Sequence, residues 1–349
     1  MVADVSIETR TLPPPRATIH DVARVAGVSV ATVSKVMNGR YGVAAGTITR
    51  VMSVVSELGY ETSLVASSLR RTQTNVIGIL VADFEPFSTE LLKAIATANA
   101  GSGYELLAYS GPSGEANDDR RVGWELRSLS RLGSTLIDGA IIVTPTVMLQ
   151  NTSIPIVAVD PHTGQGGPST VVSDNVAGAR TATEHLISLG HRRIAHIRGR
   201  TDLESAQLRE VGYRDSLAAA GIPFDPSLVR DGAYRATETD EAARQLLTGT
   251  DRPTAIFAAN DLSAIRVLHV AAELGIRVPE DLSVIGFDDV PEAAAATPQL
   301  TTMAQPLGEM GAQALRILLQ HLGGDDEIRH IRLPAKLVVR SSTGPAPTA

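Results

Sequence analysis

The chain has 349 residues, too many for one ordinary core, so two or three domains are expected. Its composition is globular, with 43% hydrophobic and 20% charged residues, and no apolar run reaches the ~18 residues that predict a membrane span. The absence of cysteine excludes disulfides, thiolate metal sites and cysteine nucleophiles. The N-terminal stretch also lacks the apolar segment of a signal peptide, so we expect a cytoplasmic protein.

The charge of the chain is unevenly distributed. The net charge is −7, which by itself argues against a nucleic-acid partner. Residues 1–72, however, hold eight Lys/Arg and five Asp/Glu, whereas residues 73–349 hold 23 and 33. A small basic head on a large acidic body indicates a localised contact with nucleic acid.

The first 61 residues predict a disordered arm followed by a small helical domain. Residues 1–16 end in three prolines, which is typical of a disordered arm. Residues 17–61 show three short helical patterns that share one apolar face. The members of that face are Ile19, Val22, Ala23, Val28, Val33, Met37, Val51, Val54, Val55 and Leu58.

Capping signals give the bounds of these helices. Thr18 and Asp21 form a capping box that opens the first helix, and Gly27 ends it. Ser29 caps the second helix. The third helix is expected from about Thr47 to Leu58.

A helix, a turn with glycine and a second helix fit the helix-turn-helix pattern. In that motif the second helix lies in the DNA major groove. Val30 and Ala31, which the helical periodicity places on the outer face, would then meet thymine methyl groups, and Lys35 would reach guanine. Phosphate contacts are predicted for Ser29, Thr32, Ser34 and Asn38. The competing interpretation is an ordinary helical surface with a stray valine, because such patterns are common by chance.

The remaining chain divides into a linker and a large body. Residues 62–73 are small and polar, with a short helix predicted from Ser63 to Arg70. From residue 74, short apolar stretches alternate with helical ones, which predicts parallel βαβ units in two doubly wound sheets. The predicted strands are 75–81, 104–110, 139–144, 155–160, 193–199, 254–260 and 283–289. The predicted fold class is therefore α/β, with a three-helix head and a two-lobed parallel-sheet body.

Several motifs resemble the lactose/galactose repressor (LacI/GalR) family of bacterial transcription regulators. They are TIHDVARVAGVSVATVSKVMNG, SELGY, LVASSLRR, SDNVAGARTATEHLISLGHRRIAHI, TAIFAANDLSAI, LSVIGFDDVPEA and PQLTTMAQP. The motifs are specific in their order and spacing, and the resemblance covers about residues 17–343. The resemblance implies a sequence-specific regulator, most simply a repressor of carbohydrate genes, with a periplasmic-binding-protein-like body that binds an effector.

The resemblance also assigns DNA contacts. Val30, Ala31 and Lys35 take the base-reading positions. Residues 63–70 take the position of a hinge helix, whose Leu69 would wedge into the minor groove. Without the resemblance, Leu69 would be an ordinary linker residue. The complete predicted set is Thr18, Ser29, Val30, Ala31, Thr32, Ser34, Lys35, Asn38, Arg40, Tyr41, Ala66, Ser67, Leu69 and Arg70. Gly46, Thr47 and Thr49 depart from the family, because relatives often carry charge there.

Polar side chains follow most of the predicted strands, and ligands bind at the carboxyl ends of strands in such sheets. Carboxylates, amides and an arginine together are the chemistry of sugar recognition. The alternative is that these residues only cap the following helices, and Asp261 is the strongest candidate for that role. The resemblance favours effector contacts at Asp160, Arg209, Asn260 and Asp288, with Gln305 nearby. Further candidates are Asp83, Phe84, Phe87 and Tyr234.

The resemblance also implies a domain organisation. The effector-binding and dimerisation domain is expected at 74–343, followed by a flexible tail at 344–349. Its first subdomain would hold about 75–173 and 304–332. Its second would hold about 174–303 and 333–343.

Other classes of protein stay open. A sugar-binding transport protein would share the two-lobed body but would need a signal peptide and no basic head. A sugar-processing enzyme would need a catalytic acid/base pair, and a regulator could answer to a non-sugar corepressor. No catalytic, phosphate-binding or metal motif appears, so we expect no enzyme activity, cofactor or metal.

The expected partners follow from the predicted function. They are a pseudo-palindromic double-stranded operator, a mono- or oligosaccharide, and a second copy of the chain, because one helix-turn-helix provides too little contact for specific affinity. The tail SSTGPAPTA has no heptads, so a dimer is expected and not a coiled-coil tetramer. No membrane partner is expected, and the site of action would be the nucleoid.

Overall fold

The computed structural model describes residues 17–37, 42–60, 73–111, 123–133, 135–164 and 166–347. The chain forms two compact units, Met1–Thr72 and Gln73–Ala349.

The first unit contains three helices, α1 (Ile19–Ala26), α2 (Val30–Met37) and α3 (Ala45–Leu58). The capping box of α1 forms as predicted: the backbone N of Asp21 donates to Thr18 Oγ1 at 3.3 Å, and the backbone N of Thr18 donates to Asp21 Oδ2 at 3.0 Å. Gly27 ends α1 with φ 64°, a left-handed conformation that suits glycine. Ser29 caps the first turn of α2 by accepting from the backbone N of Thr32 at 3.1 Å.

The core of this unit is the predicted apolar face with two corrections, the addition of the buried Ala26 and the placement of Val30. Its buried members are Val22, Ala23, Ala26, Val33, Val51 and Val54. Val30, which we predicted to face outward, is half-buried and packs against this cluster. The reason is the helical spacing, since Val30 lies three residues before the buried Val33 and therefore shares part of its face. Ala31 and Lys35 are exposed.

The second unit alternates strands with helices. Its strands are β1 (Val76–Val81), β2 (Glu105–Ser110), β3 (Gly139–Val143), β4 (Ile156–Val159), β5 (Ser169–Ser173), β6 (Ile194–Arg198), β7 (Val229–Asp231), β8 (Ala255–Ala258), β9 (Ser283–Asp288), β10 (Thr301–Ala304), β11 (His330–Leu333) and β12 (Lys336–Val338). Its α-helices are α4 (Pro86–Ala98), α5 (Trp124–Gly133), α6 (Asn175–Ser188), α7 (Glu204–Ala219), α8 (Ala236–Leu247), α9 (Asp261–Glu273), α10 (Pro291–Ala295) and α11 (Leu307–Leu322), with a 3₁₀ turn at Pro226–Leu228.

The strands form two six-stranded sheets. The order of the first sheet is β11–β5–β4–β3–β1–β2, and that of the second is β12–β10–β9–β8–β6–β7. Strand β12 runs antiparallel to β10, and the other neighbouring strands are parallel. In register, Ile79 of β1 lies beside Ile141 of β3 and Ala108 of β2. The chain passes to the second sheet after β5 and β11 and returns to the first after β10.

The central strands are buried on both faces, as is typical of doubly wound sheets. Every residue of β1, β3, β8 and β9 is buried. Helices α6 and α7 pack closely because Gly212 has no side chain: a Cβ there would lie 2.4 Å from the carbonyl O of Val176 and 2.8 Å from Ala179 Cβ. Within the described ranges, no helix is both long and apolar enough to cross a membrane.

Candidate functional site

A cleft of about 250 Å³ lies in the second unit, where the carboxyl ends of strands from both sheets meet. The first sheet and its connections contribute Ala82, Asp83, Glu85, Phe87, Ser88, Thr144, Thr146, Asp160 and His162. The second contributes Arg200, Leu203, Ser205, Arg209, Ala233, Tyr234, Arg235, Asn260, Leu262, Asp288 and Val290, and Gln305 follows β10. The lining is polar and carries both signs of charge.

Eight predicted effector residues lie together in this lining. They are Asp83, Phe87, Asp160, Arg209, Tyr234, Asn260, Asp288 and Gln305. Phe84 does not line the cleft and is 50% exposed. The two phenylalanines differ because Phe87 lies in the first turn of α4, where its side chain is buried, whereas Phe84 precedes that helix.

Arg209 of α7 is the central cation of the cleft. Its side chain is almost fully buried, with Nε donating to Asn175 Oδ1 at 2.9 Å and Nη1 donating to the carbonyl O of Ala259 at 2.5 Å. Nη1 also lies 3.7 Å from Asp288 Oδ1, and the guanidinium carbon lies 3.8 Å from the ring centroid of Phe287. These contacts hold the guanidinium plane in one orientation.

Asp288 ends β9 and points its carboxylate into the same region. Its Oδ1 accepts from Gln305 Nε2 at 2.7 Å. Burial raises the pKa of Asp288 to about 7, although the nearby Arg209 and the hydrogen bond from Gln305 lower it. The backbone of Asp288 has φ 124° and that of Asp289 has φ 59°, conformations that non-glycine residues seldom adopt and that cluster at functional sites.

The capping role that was expected of Asp261 belongs to Asn260, which also lines the cleft as predicted. We expected Asp261 to cap a helix, but Asn260 caps α9, because its Oδ1 accepts from the backbone N of Ser263 at 3.0 Å. Asp261 instead accepts from the backbone N of Val290 at 3.0 Å and from the hydroxyl of Thr302. Burial and the neighbouring Asp288 raise the pKa of Asp261 well above its usual range. Asn260 thus combines capping with a place in the cleft.

Three buried polar atoms of the cleft have no hydrogen-bond partner among the described residues. They are His162 Nδ1, Tyr234 Oη and Gln305 Oε1. Buried polar atoms are normally hydrogen-bonded, so a ligand or water molecules would complete these contacts. The ring of Tyr234 fits only because residue 199 is glycine, since a Cβ at Gly199 would lie 2.1 Å from Tyr234 Cζ.

Several lining residues were not predicted. Thr144 and Thr146 follow β3, and the backbone N of Thr146 donates to Oε1 of the buried Glu125 at 2.8 Å. Their position after a strand is the signal that could have identified them. Arg200 carries the same signal, because it lies two residues after β6, whereas Ser88 lies within α4 and carries none.

Among the predicted DNA-binding residues that the structure describes, Thr18 caps α1 and the others lie on or beside α2. Ser29, Ala31 and Lys35 are exposed, Thr32 and Ser34 are half-buried, and the hydroxyl of Thr18 donates to Asp21 Oδ2. Seven predicted contacts lie outside the described residues: Asn38, Arg40, Tyr41, Ala66, Ser67, Leu69 and Arg70. The predicted hinge helix at 63–70 also lies outside them. The DNA contacts therefore stay predictions.

A helix-turn-helix unit and a two-lobed ligand cleft in one chain define the class of ligand-responsive DNA-binding regulators. Residues 18–63 match the family described as "Bacterial regulatory proteins, lacI family", and residues 183–343 match "Periplasmic binding protein-like domain". The chain is 36% identical over 344 residues to the HTH-type transcriptional regulator DegA of Bacillus subtilis (strain 168), covering 95% of this chain and 100% of the relative. The chain belongs to the lacI family of transcriptional regulators.

Two further comparisons support this assignment. The ribose operon repressor of Halalkalibacterium halodurans is 34% identical over 332 residues, covering 93% of this chain and 97% of that protein. The crystal structure of the lac repressor dimer, bound to operator and the anti-inducer ONPF, superposes with a TM-score of 0.77 at 29% identity, covering 95% of this chain and 100% of that chain. The predicted family and fold class are confirmed, and the chain is a regulator and not an enzyme.

Proposed function

We propose that the chain is a repressor that binds a pseudo-palindromic operator as a homodimer, and that a sugar in the cleft controls this binding. The site of action would be the cytoplasm, on the nucleoid. The predicted hinge segment 63–70 would transmit the state of the body to the operator.

The observation that carries the sugar assignment is the set of polar groups that converge in the cleft. Asp160 and Asp288 present carboxylate oxygens, Asn260 presents an amide, and Arg209 presents an oriented guanidinium. Such groups bind the paired donor and acceptor functions of vicinal hydroxyls. The volume of about 250 Å³ lies just below the range of about 300–1,000 Å³ for ligand pockets, which favours a monosaccharide unit. The relative from Halalkalibacterium halodurans is called a ribose operon repressor, which points to the same class of ligand.

A thermal-shift screen of full-length protein against neutral sugars and purine bases tests this proposal. A bound ligand stabilises the folded state, so a sugar that occupies the cleft should raise Tm. The Asp288→Asn variant should lose the shift, while Asp251→Asn, which makes the same change at an 80% exposed side chain, should keep it. A shift with a purine base and none with any sugar would contradict the sugar assignment.

A further inference from the structure

The three arginines that line the cleft all have an acidic partner within the protein. All three belong to the second lobe, and none is left as a surplus cation. Their closest nitrogen–oxygen distances are 2.6 Å for Arg200–Asp202, 3.4 Å for Arg235–Glu238 and 3.7 Å for Arg209–Asp288. These acids offset the positive charge of Arg200 and Arg235, and they offset that of Arg209 in part, because the pKa of Asp288 is raised to about 7.

The first lobe contributes negative charge to the same cleft. Its lining includes Asp83, Glu85 and Asp160 but no Lys or Arg. Burial lowers the pKa of His162, so its ring is neutral at pH 7. Burial and the neighbouring Asp83 raise the pKa of Glu85. The other two acids of this lobe are Asp83 and Asp160. Neither of these two carboxylates forms a salt bridge within the described ranges.

The helices that begin at the cleft carry acids where phosphate would bind. Helix N-termini are common phosphate sites because their free N–H groups and dipole favour negative charge. Here Glu85 immediately precedes α4, Glu204 is the first residue of α7, and Asp261 is the first residue of α9. Each of these N-termini already has a carboxylate of the protein beside it.

Asp160 is the acid best placed to contact a ligand. It follows β4 with φ 48°, and its residue is 6% exposed. Its carboxylate makes no hydrogen bond to another side chain or backbone group of the described chain, whereas that of Asp83 accepts from the backbone N of Phe84 at 2.9 Å. A carboxylate so placed accepts hydroxyl donors and repels anions.

We infer that the cleft takes an uncharged polyol and rejects its phosphate ester, with Asp160 as the residue that sets this selectivity. This inference rests on the proposed function. Selectivity of this kind comes from a repulsive group as much as from an attractive one. A phosphate ester adds negative charge and acceptor oxygens to a cleft whose own surplus is negative, whereas a hydroxyl donates to the same carboxylate.

Isothermal titration calorimetry with matched pairs tests the inference. The probes are ribose with ribose 5-phosphate, glucose with glucose 6-phosphate, and fructose with fructose 6-phosphate, together with neutral purine bases. Wild-type protein should bind one free sugar at least about 100-fold more tightly than its phosphate ester, because like-charge contacts in a desolvated site are strongly unfavourable. Asp160→Asn should reduce this ratio to below about tenfold, by weakening sugar binding and relieving the repulsion.

Asp326→Asn is the matched control, because Asp326 is exposed and does not line the cleft. This variant removes one negative charge from the protein and should leave the ratio unchanged. Tighter binding of any phosphate ester than of its parent sugar by the wild-type protein would overturn the inference, and an unchanged ratio in Asp160→Asn would overturn the role of Asp160. Binding of a neutral purine base without any sugar would contradict the proposed function while supporting the selection against anions.

Discussion

Arg209 lines the cleft and also makes several polar contacts within the protein. Its guanidinium bonds Asn175 and the carbonyl of Ala259, and it lies beside Asp288. Removing it takes the neighbouring cation from the buried carboxylate of Asp288 and a donor from the two acceptors, which is strongly destabilising. Arg209→Ala should therefore lower the free energy of unfolding by about 3–5 kcal/mol at pH 8, measured by urea denaturation.

The control for this prediction is Arg244→Ala. Arg244 pairs with Glu273 where both side chains are about half exposed, so its removal should cost less than about 1 kcal/mol. The loss in Arg209→Ala should also be smaller at pH 6, because Asp288 can then take a proton. Equal losses in the two variants would show that Arg209 is not a structural element of the cleft.

Effector affinity should depend on pH through Asp288, whose pKa is raised to about 7. An ionised carboxylate accepts ligand hydroxyls better than a carboxyl group does, so binding releases a proton below the pKa. Affinity for a cleft-bound sugar should therefore rise about tenfold from pH 6 to pH 8, measured by calorimetry. A wild-type affinity that stays constant or falls over the same interval would contradict the assignment.

Side-chain positions in the site were predictable where strand ends determine them. Asp160 directly follows β4 and Asp288 ends β9, so the parallel topology brings them to one edge of their sheets. The sequence could not separate Phe84 from Phe87, because their exposure depends on where α4 begins. The choice between Asn260 and Asp261 as the cap also depends on a tertiary contact, between Asp261 and the backbone of Val290.

Helix α2 presents Lys35 as its exposed basic side chain. If α2 lies in the major groove, Lys35 contacts a base edge and carries part of the specificity. Lys35→Ala should weaken operator binding by about 1–3 kcal/mol and relax the preference at one base pair per half-site. Selection from a randomised operator library, followed by anisotropy titrations, measures both effects.

Arg24→Ala in α1 provides the matched control on the same unit. Arg24 is exposed and pairs with Asp21 at 3.0 Å within its own helix. Its loss should leave base preference unchanged. If Lys35→Ala weakens all sequences equally, Lys35 contacts phosphate and the proposed base contact is wrong.

The contact between α6 and α7 should tolerate no added methyl group at Gly212. A Cβ at this position would clash with the backbone of α6. Gly212→Ala should therefore lower the free energy of unfolding by about 1–3 kcal/mol. The control is Gly308→Ala in α11, where a Cβ would have open space around it. This variant should be neutral or stabilised by up to about 1 kcal/mol. Similar losses of stability in both variants would exclude the steric explanation.

The elements that the sequence did not predict are five strands and the short helix α10. Strands β7 and β12 have three residues each, β10 and β11 have four, and β5 has five, and none of them is a continuous apolar run of the kind that predicts a buried strand. The other seven strands, β1 to β4, β6, β8 and β9, were predictable because each is rich in apolar residues.

At the scale of the whole chain, the cleft depends on both sheets. Asp160 follows a strand of the first sheet, and Arg209 and Asp288 belong to the second lobe. A ligand that contacts both sides favours a conformation in which they lie close together, and it can shift the equilibrium only by its differential affinity for the two states. This difference in affinity is what would couple sugar binding in the cleft to operator binding.

Operator affinity with and without the bound sugar tests the central claim most directly. The measurement is fluorescence anisotropy of full-length protein on its selected operator, with and without a saturating concentration of the sugar identified by thermal shift. Allosteric coupling typically amounts to about 1–3 kcal/mol, so the operator Kd should change about 5- to 150-fold, and Asp288→Asn should show no change. A sugar that raises Tm but leaves the operator Kd unchanged would contradict the account.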